Sequence, residues 1–150
     1  MKENKIKFDF VCSFGFVEHF DNFDEVIINH AQLLNSGGEL LITTPNFKGW
    51  MQYLPHLIFD YANLKKHNLK SMSPNKWKEI LEKNNFEVKY YGFFGGYEFW
   101  VDFDAPRSFL SRICLNITQR IIHQFQKAFN FLKLESSWFS CYCGIIAIKN

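Results

Sequence analysis

The chain has little net charge, no long apolar run and no metal-binding cysteine pattern. A formal charge of +2 over 150 residues is too small to argue for a nucleic-acid ligand. No apolar stretch approaches the ~20 residues that a membrane-spanning helix needs. Cys12, Cys114, Cys141 and Cys143 form no zinc framework, because no second C-x-x-C or His pair accompanies them. They read as reduced, small hydrophobes of a cytoplasmic protein. Cys141 and Cys143, two apart in a strand-like run, are expected to share a sheet face. Lys2, Lys5 and Lys7 precede an apolar stretch, but Asp9 interrupts it and Glu18 closes it, so no secretory signal is expected. Internal repeats and low-complexity linkers are also lacking.

Large apolar side chains are abundant. Hydrophobic residues make up 47% of the chain and 18 residues are Phe, which is enough for a packed core and excludes a disordered chain. The length suits a single domain, residues 1–150.

Phe8 to Ser13 is a short apolar run between charges and Gly15, as expected of a buried parallel strand. In DNFDEVIINHAQLLNSGG, Phe23, Ile27, Ala31 and Leu34 recur at helical spacing. Asn22 or Asp24 suits the helix start and Gly37 a left-handed stop. Glu39 to Thr44 reads as a second buried strand, ended by Pro45. Strand, helix and strand make a βαβ unit with a parallel sheet. Residues 47–70 read as an insertion of short helices or loop. Ser73 and Pro74 open a helix with Trp77, Ile80 and Leu81 inward, ended by Asn84 and Asn85. Strands are expected over Glu87–Phe94 and Ser140–Lys149.

A second insertion, about 98–139, holds a segment without acid. From Ala105 to Leu134 there is no Asp or Glu, but Arg107, Arg112, Arg120, Lys127 and Lys133 are present. Leu110, Ile113, Cys114, Ile117, Ile121, Phe125, Ala128, Phe129 and Leu132 fall on one helical stripe. A basic amphipathic helix is expected over about Pro106–Phe131. The favoured reading is a core stripe with a solvated cationic face; cover for the open sheet face and a lid over the substrate are the alternatives, and a membrane-surface role is not expected.

In order, FDFVCSFGFVEHF, a helix ending in LLNSGG, ELLITTPN, and SPNKWKEILEKNNFEV resemble the second half of a class I S-adenosylmethionine-dependent methyltransferase. The resemblance covers roughly Phe8–Gly96 and Ser140–Lys149. It implies an α/β fold: a partial Rossmann-like sheet with strands in the order four-five-seven-six, the last antiparallel, with the basic helix inserted before it. The family's Gly-rich turn after the first strand is absent, as is the acidic residue that holds the ribose hydroxyls. Roughly 80–110 residues of an ordinary domain would be needed to supply them. The edge of the strand at residues 8–13 is thereby left open, a candidate surface for self-association or a partner chain.

The resemblance implies S-adenosylmethionine as cofactor and a small molecule or sugar as acceptor. It implies that Ser13, Phe14 and Gly15 lie beside the reacting methyl, with plain packing as the alternative for Phe14. Glu18 and His19 would be the catalytic pair, His19 suited to take a proton near neutral pH. The alternative is polar helix entry. Pro45, Asn46 and Tyr97 are candidate substrate contacts, with turn formation and packing as alternatives. Some relatives bind a divalent metal through E-x-x-E-H. Gly15 stands where the first Glu would be, so no metal site is expected. The chain alone is expected to be inactive, a truncated enzyme or half of a split one. A non-catalytic interaction module is the competing reading.

Overall fold

The computed structural model describes residues 6–98, 100–102, 105–132 and 134–150. Lys2, Lys5, Lys133 and the Phe129 side chain lie outside the described residues. The chain divides into two compact units. The first comprises residues 1–45, 68–92 and 143–150. The second comprises residues 46–67 and 93–142, mostly the two stretches that read as insertions.

The first unit is built on a four-stranded sheet. Its strands are β1 (Phe8–Phe14), β2 (Leu34–Pro45), β3 (Phe86–Phe94) and β4 (Tyr142–Lys149), in the order β1-β2-β4-β3. That order is the four-five-seven-six arrangement expected from sequence. β1 runs parallel to β2, with Phe10 opposite Glu39 and Phe14 opposite Thr43. In β2 the alternate residues Leu40, Ile42 and Thr44 are buried. β1 is parallel as expected, but it is not buried. Phe8, Phe10 and Phe14 are exposed, because β1 is the sheet's outer strand and their common face carries no cover among the described residues.

Helix α1 (Phe23–Gln32) buries Phe23, Ile27 and Ala31. It ends five residues before Gly37, which does not serve as its stop. Between Phe8, opposite Leu34, and Phe10, opposite Glu39, the pairing skips three residues of β2. Gly37 therefore sits in a wide bulge at φ 79, where glycine has no steric cost. The helix end is satisfied otherwise: Lys149 Nζ donates to Ala31 O (3.3 Å) and Leu34 O (2.9 Å). Asn22 occupies the N-cap position, but its amide donates to Glu25 Oε2 at 2.8 Å instead of capping the backbone.

Two short helices, α2 (Trp50–Phe59) and α3 (Tyr61–Lys65), belong to the second unit. Helix α4 (Pro74–Lys83) returns to the first. It buries Trp77 and Leu81 completely and packs on α1. Pro74 takes the first turn, where a missing N–H costs nothing. Ser73 makes no side-chain cap, against expectation; its carbonyl accepts from Trp77 N at 3.2 Å. Asn85 ends the helix in a left-handed conformation (φ 62). Trp77 Nε1 donates to Ser71 O at 2.7 Å, so its polar atom is satisfied inside the core. Cys141 and Cys143 are buried, whereas Cys12 and Cys114 are exposed.

In the second unit, one buried side chain joins the two inserted stretches. Asn46 Nδ2 donates to Ser137 O (3.0 Å) and Ser140 O (2.9 Å), and Asn46 Oδ1 accepts from Gly49 N (3.3 Å). Gln52 Nε2 adds bonds to Glu98 O and Phe139 O. Helix α5 (Phe109–Phe131) follows. It begins after Arg107, whose Nε donates to Phe59 O at 3.0 Å, and Ser108 Oγ caps it by accepting from Ser111 N.

The stripe expected to be core is not core. Leu110, Ile113, Cys114, Ile117, Ile121, Phe125, Ala128 and Leu132 are all exposed, Ile117 and Phe125 to more than half. α5 instead turns inward a narrower edge of Ser111, Leu115, Thr118, Ile122 and Gln126, of which Leu115 is the buried member. That edge lies roughly 100° around the helix from the stripe, given 100° per residue.

Candidate active site

The end of β1 and the turn that follows it carry the expected residues, and the structure sorts them sharply by exposure. Ser13 is buried and its Oγ has no partner among the described residues. The next residue on the strand, Phe14, points to the opposite face and is exposed. Gly15 has φ +60, and its N–H donates to Thr43 O at 2.9 Å, carrying the ladder into the turn. A Cβ there would be strained by that backbone and would stand 3.4 Å from Glu18 Oε1. The turn is thus backbone-lined because its left-handed conformation disfavours a side chain.

Val17–His19 form one 3-10 turn. It places Glu18 inward, 1% exposed, and His19 outward. Asn68 holds the turn from the other side, its N–H donating to Glu18 O at 2.6 Å and its amide to Phe20 O at 3.1 Å. Glu18 Oε2 has no partner among the described residues. Burial pushes the Glu18 carboxyl above the ordinary carboxylate range, only partly offset by its own backbone amide and by His19. A buried acid with an unpartnered oxygen is a locus for a cation or for a hydrogen-bond donor from outside the described residues.

Pro45, at the end of β2, is buried in the first unit. The other two expected substrate residues lie in the second. Asn46 spends its side-chain amide on the clamp described above. Tyr97 is buried, and burial pushes its phenol up to about 12, too high for a base at neutral pH.

The second unit also holds a cluster that sequence reasoning missed. Gln52 and His56 are one helical turn apart on α2 and both are buried. His56 Nδ1 lies 2.7 Å from Gln52 O. Burial lowers the His56 pKa, so the neutral ring donates through Nδ1 and presents Nε2 as an acceptor. That Nε2, Gln52 Oε1 and Trp100 Nε1 are buried without partners among the described residues. Phe47 packs on both His56 (ring centroids 4.1 Å) and Trp100 (5.1 Å). Aromatic walls with a few unspent polar atoms are the composition of a small-molecule subsite. The only signal in the sequence was the i, i+4 pair Gln52 and His56, which resembles any helix face.

A family model described as a methyltransferase domain matches residues 1–91. The mitochondrial ubiquinone biosynthesis O-methyltransferase of Rattus norvegicus is 33% identical over 113 residues, covering 68% of this chain and 32% of that protein. The crystal structure of a SAM-dependent methyltransferase from Archaeoglobus fulgidus superposes with a TM-score of 0.57 at 22% identity. It covers 97% of this chain and 61% of that one. The chain therefore spans about a third of the length of the curated relative.

Proposed function

The chain belongs to the methyltransferase-domain family, class I and S-adenosylmethionine-dependent, and from that premise we propose that it supplies the acceptor-side half of a methyl-transfer site. The observation that carries this reading is the turn after β1: a positive-φ Gly15, an orphaned Ser13 Oγ and a buried, under-partnered Glu18. S-adenosylmethionine, when bound, supplies a methyl group on a sulfonium cation. The residues present fit the wall beside that cation. Glu18 offers negative charge, Ser13 a hydroxyl, and Gly15 a backbone free of side chain. His19, outward on the same turn, would take the acceptor's proton as the oxygen is methylated. Most of the rate in such a transfer comes from holding acceptor and methyl in line.

The acceptor we propose is a small-molecule hydroxyl. The four free cysteines support a reducing, cytoplasmic setting. The Gly-rich turn and the ribose-binding acid have no counterpart in these 150 residues. A complementary segment must therefore bring them and cover the exposed face of β1. That segment can be further chain or a partner.

Isothermal titration of the 150-residue chain with S-adenosylmethionine tests the division of labour. No heat of binding is expected at tens of micromolar. A micromolar Kd for this chain alone would show that the cofactor site is already complete. A non-catalytic module, paired through β1, remains the second reading, favoured by the exposed Phe8, Phe10 and Phe14.

A further inference from the structure

Helix α5 has an apolar stripe that faces solvent along its whole length. Leu110, Ile113, Ile117, Ile121, Phe125 and Leu132 are each at least 40% exposed. Helix α2, in the same unit, repeats the feature with Trp50, Leu54, Leu57 and Ile58, again at helical spacing and again exposed. Exposed apolar surface of this extent marks a docking site.

Charge identifies the occupant. From Ala105 to Leu134 every ionised side chain is a cation and no Asp or Glu occurs. On α5, Arg112, Arg120 and Lys127 are exposed. At 100° per residue, Arg120 and Lys127 border the stripe on one side. A second copy of the chain would bring like charges together across such a face. An anionic lipid surface would meet apolar stripe and cations at once. No described helix is long and apolar enough to cross a membrane, so α5 would lie in the plane of the interface. Two exposed tryptophans, one of them already counted on α2, suit that depth. Trp50 and Trp138 are more than half exposed, and Met51 N donates to Trp138 O at 3.2 Å, which sets the two segments side by side.

We infer that α5 docks the second unit onto an anionic membrane surface, with the Leu110-to-Leu132 stripe in the acyl boundary and Arg120 and Lys127 at the headgroups. This stands apart from the methyl-transfer reading and needs no cofactor.

The test uses the full chain and vesicles of phosphatidylcholine, with or without phosphatidylglycerol. Cys12→Ser leaves Cys114, on the stripe, as the exposed thiol to carry an environment-sensitive fluorophore. At low salt, co-sedimentation with anionic vesicles should exceed that with neutral ones by about tenfold or more, and fall with added salt. The Cys114 probe should shift to the blue on binding. Ile117→Asp with Ile121→Asp, at solvent-facing positions that leave the core intact, should abolish both signals. Changing Arg120 and Lys127 to Gln should remove the anionic preference. The inference is overturned if the chain stays in the supernatant with every vesicle, or if neutral and anionic vesicles bind it alike. A vesicle-indifferent dimer broken by Ile117→Asp would overturn it in favour of self-association.

Discussion

Glu18 is a buried acid with an unpartnered oxygen, and that arrangement has a sign. Burial raises its pKa in the folded state. A raised folded pKa means the protonated form is favoured by folding. The resulting stability is complete below the unfolded-chain value, near 4.5, and is lost as pH rises through the folded value. As pH rises above the unfolded-chain value, the fold must hold the acid protonated or ionise it in a poorly solvated place, and either costs stability. Glu18→Gln should leave the melting temperature unchanged at pH 4 and raise stability at pH 8 by about 1–3 kcal/mol, the usual cost of an unsatisfied buried group. Thermal unfolding of both proteins across pH 4–8 checks it. If the variant gains nothing at pH 8, Glu18 has found a partner in solution. The pair Glu18-His19 was legible because the two residues adjoin a strand end. Their unequal exposure, a buried acid next to an exposed imidazole, was not, because one 3-10 turn decides it and leaves no periodic trace. His56 was less legible still. Its burial depends on Phe47 and Trp100, far apart in the chain, and no local pattern announces their meeting.

Among the elements, α4 was read almost whole. Its apolar spacing, the proline of its first turn and its Asn-Asn end each reflect a local rule. Trp77 anchors it, fully buried with Nε1 bonded to Ser71 O. Trp77→Ala should cost about 3–5 kcal/mol, because it opens a cavity and strips the Ser71 carbonyl of its donor. Chemical denaturation measures the loss, and a change under 1 kcal/mol would show that α4 is not anchored there. The elements misread share one cause: tertiary context overrode local pattern. Gly37 looks like a helix stop, yet strand pairing with β1 claims its neighbours and turns it into the apex of a bulge. The α5 stripe looks like core by periodicity. Amphipathicity reports that a helix has an apolar side. It does not report what that side faces.

At the scale of the whole molecule, the strand order was legible because the motifs came in series, each fixing its neighbour's place. The exposure of β1 followed from that order, since its outer edge has no strand to pair with. Phe8, Phe10 and Phe14 are left facing solvent, a hazard that natural edge strands usually blunt with charge. The chain should therefore self-associate as concentration rises from about 1 to 100 µM. Phe10→Lys with Phe14→Lys, both at solvent-facing positions, should return it to monomer. Light scattering behind size exclusion reads the masses, and a wild-type chain that stays monomeric throughout would show that the strand is protected after all.

The sheet order also sets a schedule for synthesis. β4 lies between β2 and β3, yet it is made last of the four. While the ribosome translates residues 95–141, β2 and β3 each wait with an unpaired inner edge. At roughly 5–20 residues per second that interval lasts several seconds. The nascent chain is thus most vulnerable to chaperone capture or to mispairing just before β4 emerges, and the sheet can close only when it does.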